Sequence, residues 1–260
     1  MRIESAAVTH QGNIRENNED NFFLDGLYKE DTSVGEAEFR CSREADKFDF
    51  AVSDGVGGAS YGEVASHIAV TTLGRYHELG LGGAFVEYID EANDLVCQEM
   101  SERRANRMGA TVAMLHIEGD TAACCNVGDS RIYVYSQGVL SQLSLDHRSA
   151  QGPGMPTLLT QHLGVFPDEF ILGPHIERDL PLDPGTMYLL CTDGLTDMVP
   201  DDQLQVAVDA CKGKTPEDIA SILMELALTN GGRDNVTVMI VRICDGTGPA
   251  RNDSLAEKRI

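Results

Sequence analysis

Five aspartates in this chain occur in the same local setting, which constrains the fold more than any other feature of the sequence. In each case a run of apolar or small residues stops at the carboxylate, with a turn residue beside it. The neighbouring apolar runs at 48–52, 187–191 and 236–241 are typical of buried strands. The carboxylates are therefore expected to meet at strand ends of one core. The five are Asp20, Asp54, Asp129, Asp193 and Asp234.

Carboxylates gathered in this way are electrostatically unfavourable on their own. They repel one another and lose hydration unless cations neutralise them. Oxygen ligands without a cluster of Cys or His favour a hard ion, Mg²⁺ or Mn²⁺, over zinc. For any single aspartate a simple turn remains the commoner explanation, because Asp tolerates the left-handed conformation. The repetition favours a metal site built from carboxylates.

A set of motifs between residues 3 and 243 resembles the metal-dependent protein phosphatases of type 2C, in their compact bacterial form. Each motif alone is a weak signal, but the order and the intervals are specific. The motifs lie at 15–22 (RENNEDNF), 54–58 (DGVGG), 62–66 (GEVAS), 109–111 (GAT), 126–131 (NVGDSR), 146–147 (DH), 163–164 (LG), 192–195 (TDGL) and 234–237 (DNVT).

The resemblance implies hydrolysis of phosphoserine and phosphothreonine in proteins, with a metal-bound water as the nucleophile at a dinuclear Mg²⁺ or Mn²⁺ centre. It implies that Asp54 bridges the two ions and that Asp193 and Asp234 complete one of them. The Gly55 carbonyl would serve the other ion. Asn235 is expected to orient Asp234 from behind the ligand shell.

Four further residues receive roles from the same resemblance. Asp20 and Glu19 would hold the second ion, partly through waters. Arg15 would bind the substrate phosphate with two hydrogen bonds; its alternative is a surface arginine paired with a nearby glutamate. Asp129 corresponds to the residue that binds a third, weaker ion in bacterial members. A structural Asx turn explains Asp129 equally well.

One loop departs from the family pattern. Many relatives have a histidine in the Asp-Gly-x-Gly-Gly loop that protonates the leaving group. Here Val56 and Ala59 stand in that loop, and neither His147 nor His162 can be assigned the role from sequence. The general acid is therefore open, while the nucleophile is unaffected. His116, within an apolar run, is predicted to be a packed residue.

Two alternative functions stay open at this level. One is a catalytically weak relative that acts as a phosphoprotein-binding regulator, and the other is a hydrolase of small phosphate esters. The intact Asp20, Asp54, Asp193 and Asp234 argue against the first, because pseudoenzymes commonly lose a ligand. For the main hypothesis, the expected substrates are phosphoproteins that a Ser/Thr kinase has modified.

Composition excludes several partners. The 260 residues include 42 acidic and 20 basic ones, and a net charge of −22 argues against nucleic acid or an anionic membrane. Seven irregularly spaced cysteines without a CxxC pair indicate reduced thiols and no structural zinc. No apolar signal core or membrane-length apolar run is found. We expect a cytoplasmic monomer.

The predicted elements favour an α+β fold, because paired helices between groups of strands do not alternate as βα units do. The resemblance specifies a four-layer α-β-β-α sandwich of two antiparallel sheets flanked by helix pairs. It places the catalytic domain at 1–244, followed by a flexible tail at 245–260. The Gly/Pro-rich stretch within 148–157 cannot form the helical flap of longer relatives, which predicts an open site.

The same pass along the chain gives approximate boundaries. The polar segment 29–47 is predicted to be a loop or hairpin insertion, and a strand is predicted over 21–27. Helices are predicted at 60–79, 84–108, 201–211 and 216–228. Further strands are predicted at 3–10, 48–52, 111–117, 121–127, 131–136, 139–143, 187–191 and 236–243.

Overall fold

The computed structural model describes residues 1–56, 61–149 and 158–245, which form two stacked antiparallel sheets between two layers of helices. The strands are β1 (Arg2–His10), β2 (Asn21–Leu24), β3 (Leu27–Tyr28), β4 (Glu36–Glu44), β5 (Lys47–Ser53), β6 (Gly55–Val56), β7 (Gly109–Ala110), β8 (Val112–Glu118), β9 (Thr121–Val127), β10 (Arg131–Ser136), β11 (Val139–Gln142), β12 (His175–Glu177), β13 (Met187–Cys191) and β14 (Val236–Cys244). The helices are α1 (Gly62–Glu78), α2 (Phe85–Arg103), α3 (Asp193–Thr196), α4 (Asp201–Ala210) and α5 (Pro216–Thr229).

Each large sheet has six strands. The first has the order β11-β10-β13-β14-β1-β4, and the second has the order β12-β9-β8-β5-β2-β3. The short strands β6 and β7 form a separate two-stranded ribbon beside the site described below. This architecture confirms the predicted four-layer sandwich.

Three apolar layers hold the four layers together, because successive strand residues point to opposite faces of a sheet. Phe22 and Leu24 of β2 pack between the two sheets, whereas Phe23 packs on the other face of the second sheet, in the layer that contains Leu73 of α1. On the first sheet, Ile240 contributes to the layer formed with α4 and α5. Each fully buried side chain of this size contributes roughly 1.5–3 kcal/mol.

The segment predicted as a loop or hairpin insertion at 29–47 contains β4, which is part of the first six-stranded sheet, so that prediction was wrong. This strand pairs with β1 along its whole length at one edge of the first sheet, with Phe39 opposite Ala7. Ala37 and Phe39 are buried, while the alternate residues Glu36, Glu38 and Arg40 are not. The strand was not predicted because the many charged residues on its outer face made the segment look polar throughout, although buried and exposed residues alternate along it as in a half-buried strand.

Two boundaries also differ from the prediction. The predicted strand at 21–27 is a hairpin, because Asp25 and Gly26 turn the chain with φ of 49° and 100°. The helix predicted over 84–108 ends at Arg103, since Arg104 adopts a left-handed conformation with φ of 54°. The remaining predicted helices and strands lie within a few residues of the observed ones.

The stretch after β11 was predicted to lack a helical flap. Its described residues, 143–149 and 158–174, contain no helix, and the Gly/Pro-rich residues at 150–157 lie outside the described ranges. Residues 246–260 of the predicted flexible tail also lie outside them. No helix among the described residues has the length and apolar character needed to cross a membrane.

Candidate metal centre

The predicted ligands stand at strand ends along one edge of the sandwich. Asp20 precedes β2 and Asp54 follows β5, and the antiparallel register sets Asn21 opposite Ser53, so that the two aspartates are neighbours. Asp193 follows β13 and Asp234 precedes β14, two further neighbouring strands. The expected gathering of carboxylates at strand ends is therefore observed.

Asp20 lies at the bottom of this group and is fully buried. Its Oδ2 accepts hydrogen bonds from the hydroxyls of Thr192 (2.8 Å) and Thr237 (2.7 Å). Its Oδ1 is also buried but has no hydrogen-bond partner among the described residues. A buried carboxylate oxygen without a donor costs about 1–3 kcal/mol or more, so this atom is the strongest candidate for a metal ligand.

Thr111 holds the Asp54 loop in place. The Asp54 backbone N–H donates to the Thr111 hydroxyl (3.0 Å), and the Thr111 N–H donates to the Asp54 carbonyl (2.9 Å). The next residue, Gly55, pairs with Ala110 in the ribbon of β6 and β7. Thr111 also bonds to the Ser130 hydroxyl at 2.6 Å, which links this loop to the turn that presents Asp129.

Glu19 and Gly55 face each other across the start of α1. A Cβ atom on Gly62 would lie 2.6 Å from Glu19 Oε2 and 2.9 Å from the Gly55 carbonyl oxygen. Glycine at position 62 therefore leaves room between two oxygen atoms predicted to bind the same ion. The Glu19 main chain is held by the Asn235 side chain, which accepts from its N–H at 2.8 Å, and by Ser66.

Asn235 supports Asp234 differently from the prediction. Its backbone N–H donates to Asp234 Oδ1 at 2.8 Å, whereas its side-chain amide donates to the Gln11 and Asn17 carbonyls. The other oxygen of Asp234 accepts a hydrogen bond of 2.6 Å from Arg15, whose side chain is about half exposed (48%). Arg15 therefore pairs with one of the predicted metal ligands and not with a neighbouring glutamate.

Asp129 is buried and pairs with Arg148, a residue to which the sequence assigned no role. Gly128 supplies the preceding backbone conformation, with φ of 103°, and a Cβ there would lie 2.6 Å from the Thr111 methyl group. The Arg148 guanidinium also donates to Asp193 (3.1 Å) and to Asp197 (3.4 Å). Arg148 directly follows the Asp-His motif, so its position offered a signal. It was not assigned a role because a charged residue in a polar loop is typical of the protein surface.

Burial and mutual repulsion leave these carboxylates unusually hard to ionise. Burial, with repulsion from Glu63, raises the pKa of Glu19 to about 7. Burial also raises the pKa of Asp20 to about 6, against the two threonine hydrogen bonds, and the pKa of Asp193 to about 7. For Asp54, burial followed by repulsion from Asp20 and Asp193 raises the pKa well above its usual range. Divalent cations would reverse these shifts.

The carboxylates open onto a cleft of about 920 Å³. Part of its lining is charged, and the rest is largely apolar. The charged wall contains Arg15, Glu19, Asp54, Asp129, Arg148, Asp193, Asp197 and Asp234. The apolar wall contains Val56, Met100, Asn106, Arg107, Met108, Leu158, Leu159, His162, Val165, Phe166 and Glu169.

The three histidines considered from the sequence fall in different places. His116 is buried against Asp49, far along the strand from the cleft, as predicted for a packed residue. His147 supports the Asp129 turn, since its Nδ1 accepts from the Gly128 N–H at 3.1 Å. His162 lines the cleft, and its Nδ1 donates to the Leu163 carbonyl at 2.7 Å. Ala59 lies outside the described residues.

The donor set fits hard divalent cations. The unpartnered Asp20 Oδ1 and the facing oxygens of Glu19 and Gly55 match oxygen coordination. Within the described ranges, no three Asp, Glu, His or Cys side chains converge on one point as ligands. Arg15 and Arg148 instead occupy Asp234, Asp129 and Asp193.

Comparison with known proteins agrees with the site. The sequence model described as Protein phosphatase 2C matches residues 36–212. The Ser/Thr protein phosphatase PstP of Mycobacterium tuberculosis is 28% identical over 265 residues, covering 94% of this chain and 45% of that protein. This chain therefore spans about half the length of that relative.

Two further relatives are covered more fully. The Ser/Thr phosphatase Stp of Listeria monocytogenes is 30% identical over 217 residues, covering 73% of this chain and 82% of that protein. The crystal structure of the catalytic domain of PstP in complex with two manganese ions superposes with a TM-score of 0.74 at 27% identity, covering 94% of this chain and 100% of that one.

Proposed function

The chain belongs to the protein phosphatase 2C family, and we propose that it hydrolyses phosphoserine and phosphothreonine in proteins with two divalent cations, Mg²⁺ or Mn²⁺. The observation that supports this most directly is the buried, unpartnered Oδ1 of Asp20, a neighbour of Asp54, which lines the cleft. A fold that gathers more acidic groups at one place than it has cations to pair with them is built to receive external cations.

The ligands divide into two sets. Asp54 would bridge the ions, with Asp193 and Asp234 completing one position. Glu19 and the Gly55 carbonyl would complete the other, because their oxygens face each other beside Gly62. When bound, the two ions supply an activated water and polarise the phosphoryl oxygens.

Asp20 completes the second set from its buried position. Its Oδ2 is fixed by Thr192 and Thr237, so that only Oδ1 remains to act on the second ion or on a water bound beside it.

The chain's own residues do the positioning. Arg15 stands at the cleft on Asp234 and is exposed enough to bind a phosphate with two guanidinium nitrogens. The apolar wall that includes Leu158 and Phe166 gives the peptide around the phosphoresidue a surface to contact.

We propose two ions per chain rather than three, since Arg148 already engages Asp129. As partners we propose phosphoproteins modified by a Ser/Thr kinase, and as location the cytoplasm. The seven cysteines are free thiols, five of them buried, which is consistent with a reducing compartment. For the assembly state we propose a monomer.

The test is hydrolysis of a chromogenic aryl phosphate and of a phosphothreonine peptide after chelation, followed by titration with Mg²⁺ or Mn²⁺. Activity on both substrates that depends on added metal supports the proposal. Metal-dependent activity on the aryl phosphate alone would favour a small-ester hydrolase. Absence of activity on both, with metal bound, would favour a regulator that binds phosphoproteins.

A further inference from the structure

Arg148 places a guanidinium where three carboxylates of the cleft meet. Its Nε donates to Asp129 Oδ2 at 2.5 Å, its Nη2 to Asp193 Oδ2 at 3.1 Å, and its Nη1 lies 3.4 Å from Asp197 Oδ1. Each nitrogen of the guanidinium thus serves a different acidic residue. The side chain is 22% exposed and Asp129 only 8%, so solvent screens the shortest pair weakly.

The main chain fixes the position from which Arg148 reaches these groups. Arg148 forms an isolated bridge with Leu159, flanked by hydrogen bonds from Ser149 N–H to Leu158 (2.8 Å) and from Thr160 N–H to His147 (2.8 Å). On the other side, the Gly128–His147 hydrogen bonds hold the Asp129 turn against the same segment. The pair is therefore supported by backbone structure on both sides.

We propose that Arg148 is a built-in cation that takes the place of a third metal ion at Asp129, so that this chain binds two divalent ions and not three. The proposal rests on the proposed function, because the two remaining ions are those of the phosphatase centre. A guanidinium is always charged and cannot be removed by a chelator. It occupies Oδ2 of Asp129, the oxygen through which this buried carboxylate would otherwise bind an ion facing Asp193.

The role is positioning rather than catalysis. Arg148 pairs with Asp129 and with Oδ2 of Asp193, so that it holds in place a carboxylate that also interacts with Asp54. In a chain with a net charge of −22, a fixed positive charge at this point also reduces the repulsion that an incoming phosphate meets.

The experiment counts bound Mn²⁺ by electron paramagnetic resonance of the free ion, with titration to saturation, in wild type and in Arg148→Gln, Arg148→Lys and Arg148→Gln/Asp129→Asn. We expect two ions in wild type, a third, weaker ion in Arg148→Gln, and two in the double variant. Arg148→Lys keeps a cation at the site and should again bind two. The matched control is Arg107→Gln, which removes a charge from the apolar wall of the cleft; this variant should bind two Mn²⁺ ions.

Three ions in wild type, or no gain in a folded Arg148→Gln, would overturn the assignment. The wild-type count tests the assignment even when a variant fails to fold, which circular dichroism would reveal. If Arg148 instead binds substrate phosphate, Arg148→Gln would keep two ions and weaken inhibition by inorganic phosphate, which also overturns it. Fewer than two ions in wild type would contradict the proposed function, while the gain of one ion in Arg148→Gln would still support the role of Arg148.

Discussion

Two groups of acidic residues, each buried at least in part, stand at opposite ends of strands β2 and β5, and they differ in how their charge is balanced. At one end is the cleft cluster, defined as Glu19, Asp20, Asp54, Asp193 and Asp234. At the other end is the internal cluster, defined as Asp25, Arg43, Asp49, His77 and His116.

The internal cluster contains its own cations. Asp49 is fully buried, and its two oxygens pair with His77 Nδ1 and His116 Nδ1, both at 2.7 Å. Although burial alone raises it, the pKa of Asp49 is lowered overall because both histidines donate to the carboxylate. Arg43 pairs with Asp25 in the same way, while burial still keeps the pKa of Asp25 above its usual range.

The cleft cluster shows the opposite balance. Its members are more numerous than the cations that contact them, and the pKa values of Glu19, Asp20, Asp54 and Asp193 are all raised, first by burial. The difference teaches that buried acidity alone does not mark a binding site. Acidity that the fold leaves unbalanced does, because the missing charge must come from a ligand.

The largest predicted effect is the loss of hydrolysis in Asp54→Asn, Asp193→Asn and Asp234→Asn. Each should reduce kcat by at least the order of 10³-fold, since even residues behind a metal's ligands contribute roughly 10–100-fold. The metal-free Asp54→Asn protein should also melt at a higher temperature than wild type, because repulsion within the cleft cluster falls. The measurements are kcat at saturating Mn²⁺ and thermal unfolding after chelation.

The exposed Asp168 provides a control for these variants. Asp168→Asn should leave both quantities unchanged. Near wild-type turnover in any of the three ligand variants would remove that residue from the metal centre.

The second prediction contrasts the two arginines of the clusters. Arg15→Ala should raise KM for phosphoesters more than it lowers kcat. The rise in KM should correspond to a loss of about 1.5–3 kcal/mol of binding free energy, the range for hydrogen bonds to charged groups. Arg43→Ala should lower the free energy of unfolding but leave KM unchanged, because Arg43 bonds to Asp25 and to the Lys47 carbonyl, at the end of β5 away from the cleft. An unchanged KM in Arg15→Ala would leave Arg15 as an ion-pair partner of Asp234 alone.

The sequence predicted those parts of the two clusters that lie in a recognisable local motif. The carboxylates of the cleft cluster were predicted to gather because each stands in a recognisable motif beside an apolar strand, and the strands themselves were predicted for the same reason. The edge strand β4 was missed because only its Ala37 and Phe39 are buried and its outer face is charged.

Contacts between distant parts of the chain were beyond the sequence. Arg148 meets Asp193 across 45 residues, and His77 meets Asp49 across 28. Neither pair leaves a periodic signal, because the register of several strands has to be known before the side chains can be placed together. The motif at 192–195 led to a prediction for Asp193. It gave no prediction for the neighbouring Thr192, whose hydroxyl donates to Asp20.

The third prediction tests whether the internal cluster is structural only. Asp49→Asn should lower the free energy of unfolding by roughly 1–3 kcal/mol, the cost of leaving buried polar groups without their charged partner. Mn²⁺ binding and kcat should not change, because Asp49 lies at the other end of β5 from Asp54. Urea unfolding and a metal titration check both parts, with the exposed Asp46→Asn as the control. Loss of metal binding in Asp49→Asn would show that the clusters are coupled.

The fourth prediction concerns pH. For carboxylates whose folded pKa is raised, stability is present below the unfolded pKa and is lost as pH rises through the folded value. Glu19 and Asp193 have raised values of about 7 and Asp20 of about 6, so the metal-free protein should lose stability between about pH 5 and pH 8. Mg²⁺ competes with protons for the same oxygens, so the gap in Tm between the Mg²⁺-loaded and metal-free protein should widen by several degrees over this window. A gap independent of pH would contradict the electrostatic account of the cleft cluster.

The smallest predicted effect concerns the contribution of His77, one of the two histidines that pair with Asp49, to the free energy of unfolding. His77 donates to Asp49, and this bond raises the pKa of His77 against the effect of burial. A histidine with a raised folded pKa stabilises the fold fully below its unfolded value and loses that contribution as pH rises through the folded value.

His77→Gln should therefore cost roughly 0.5–1.5 kcal/mol near pH 6 and less near pH 9, since His116 still holds the other Asp49 oxygen. Urea unfolding of the Mg²⁺-loaded protein at both pH values measures the difference without a contribution from the cleft cluster. In an Asp49→Asn background the same change should have a much smaller effect, because the charge that attracts His77 is gone. An equal cost at both pH values would mean that His77 acts by packing against Phe23, with which its ring makes an edge contact at 5.5 Å, and that the internal cluster is held together by shape more than by charge.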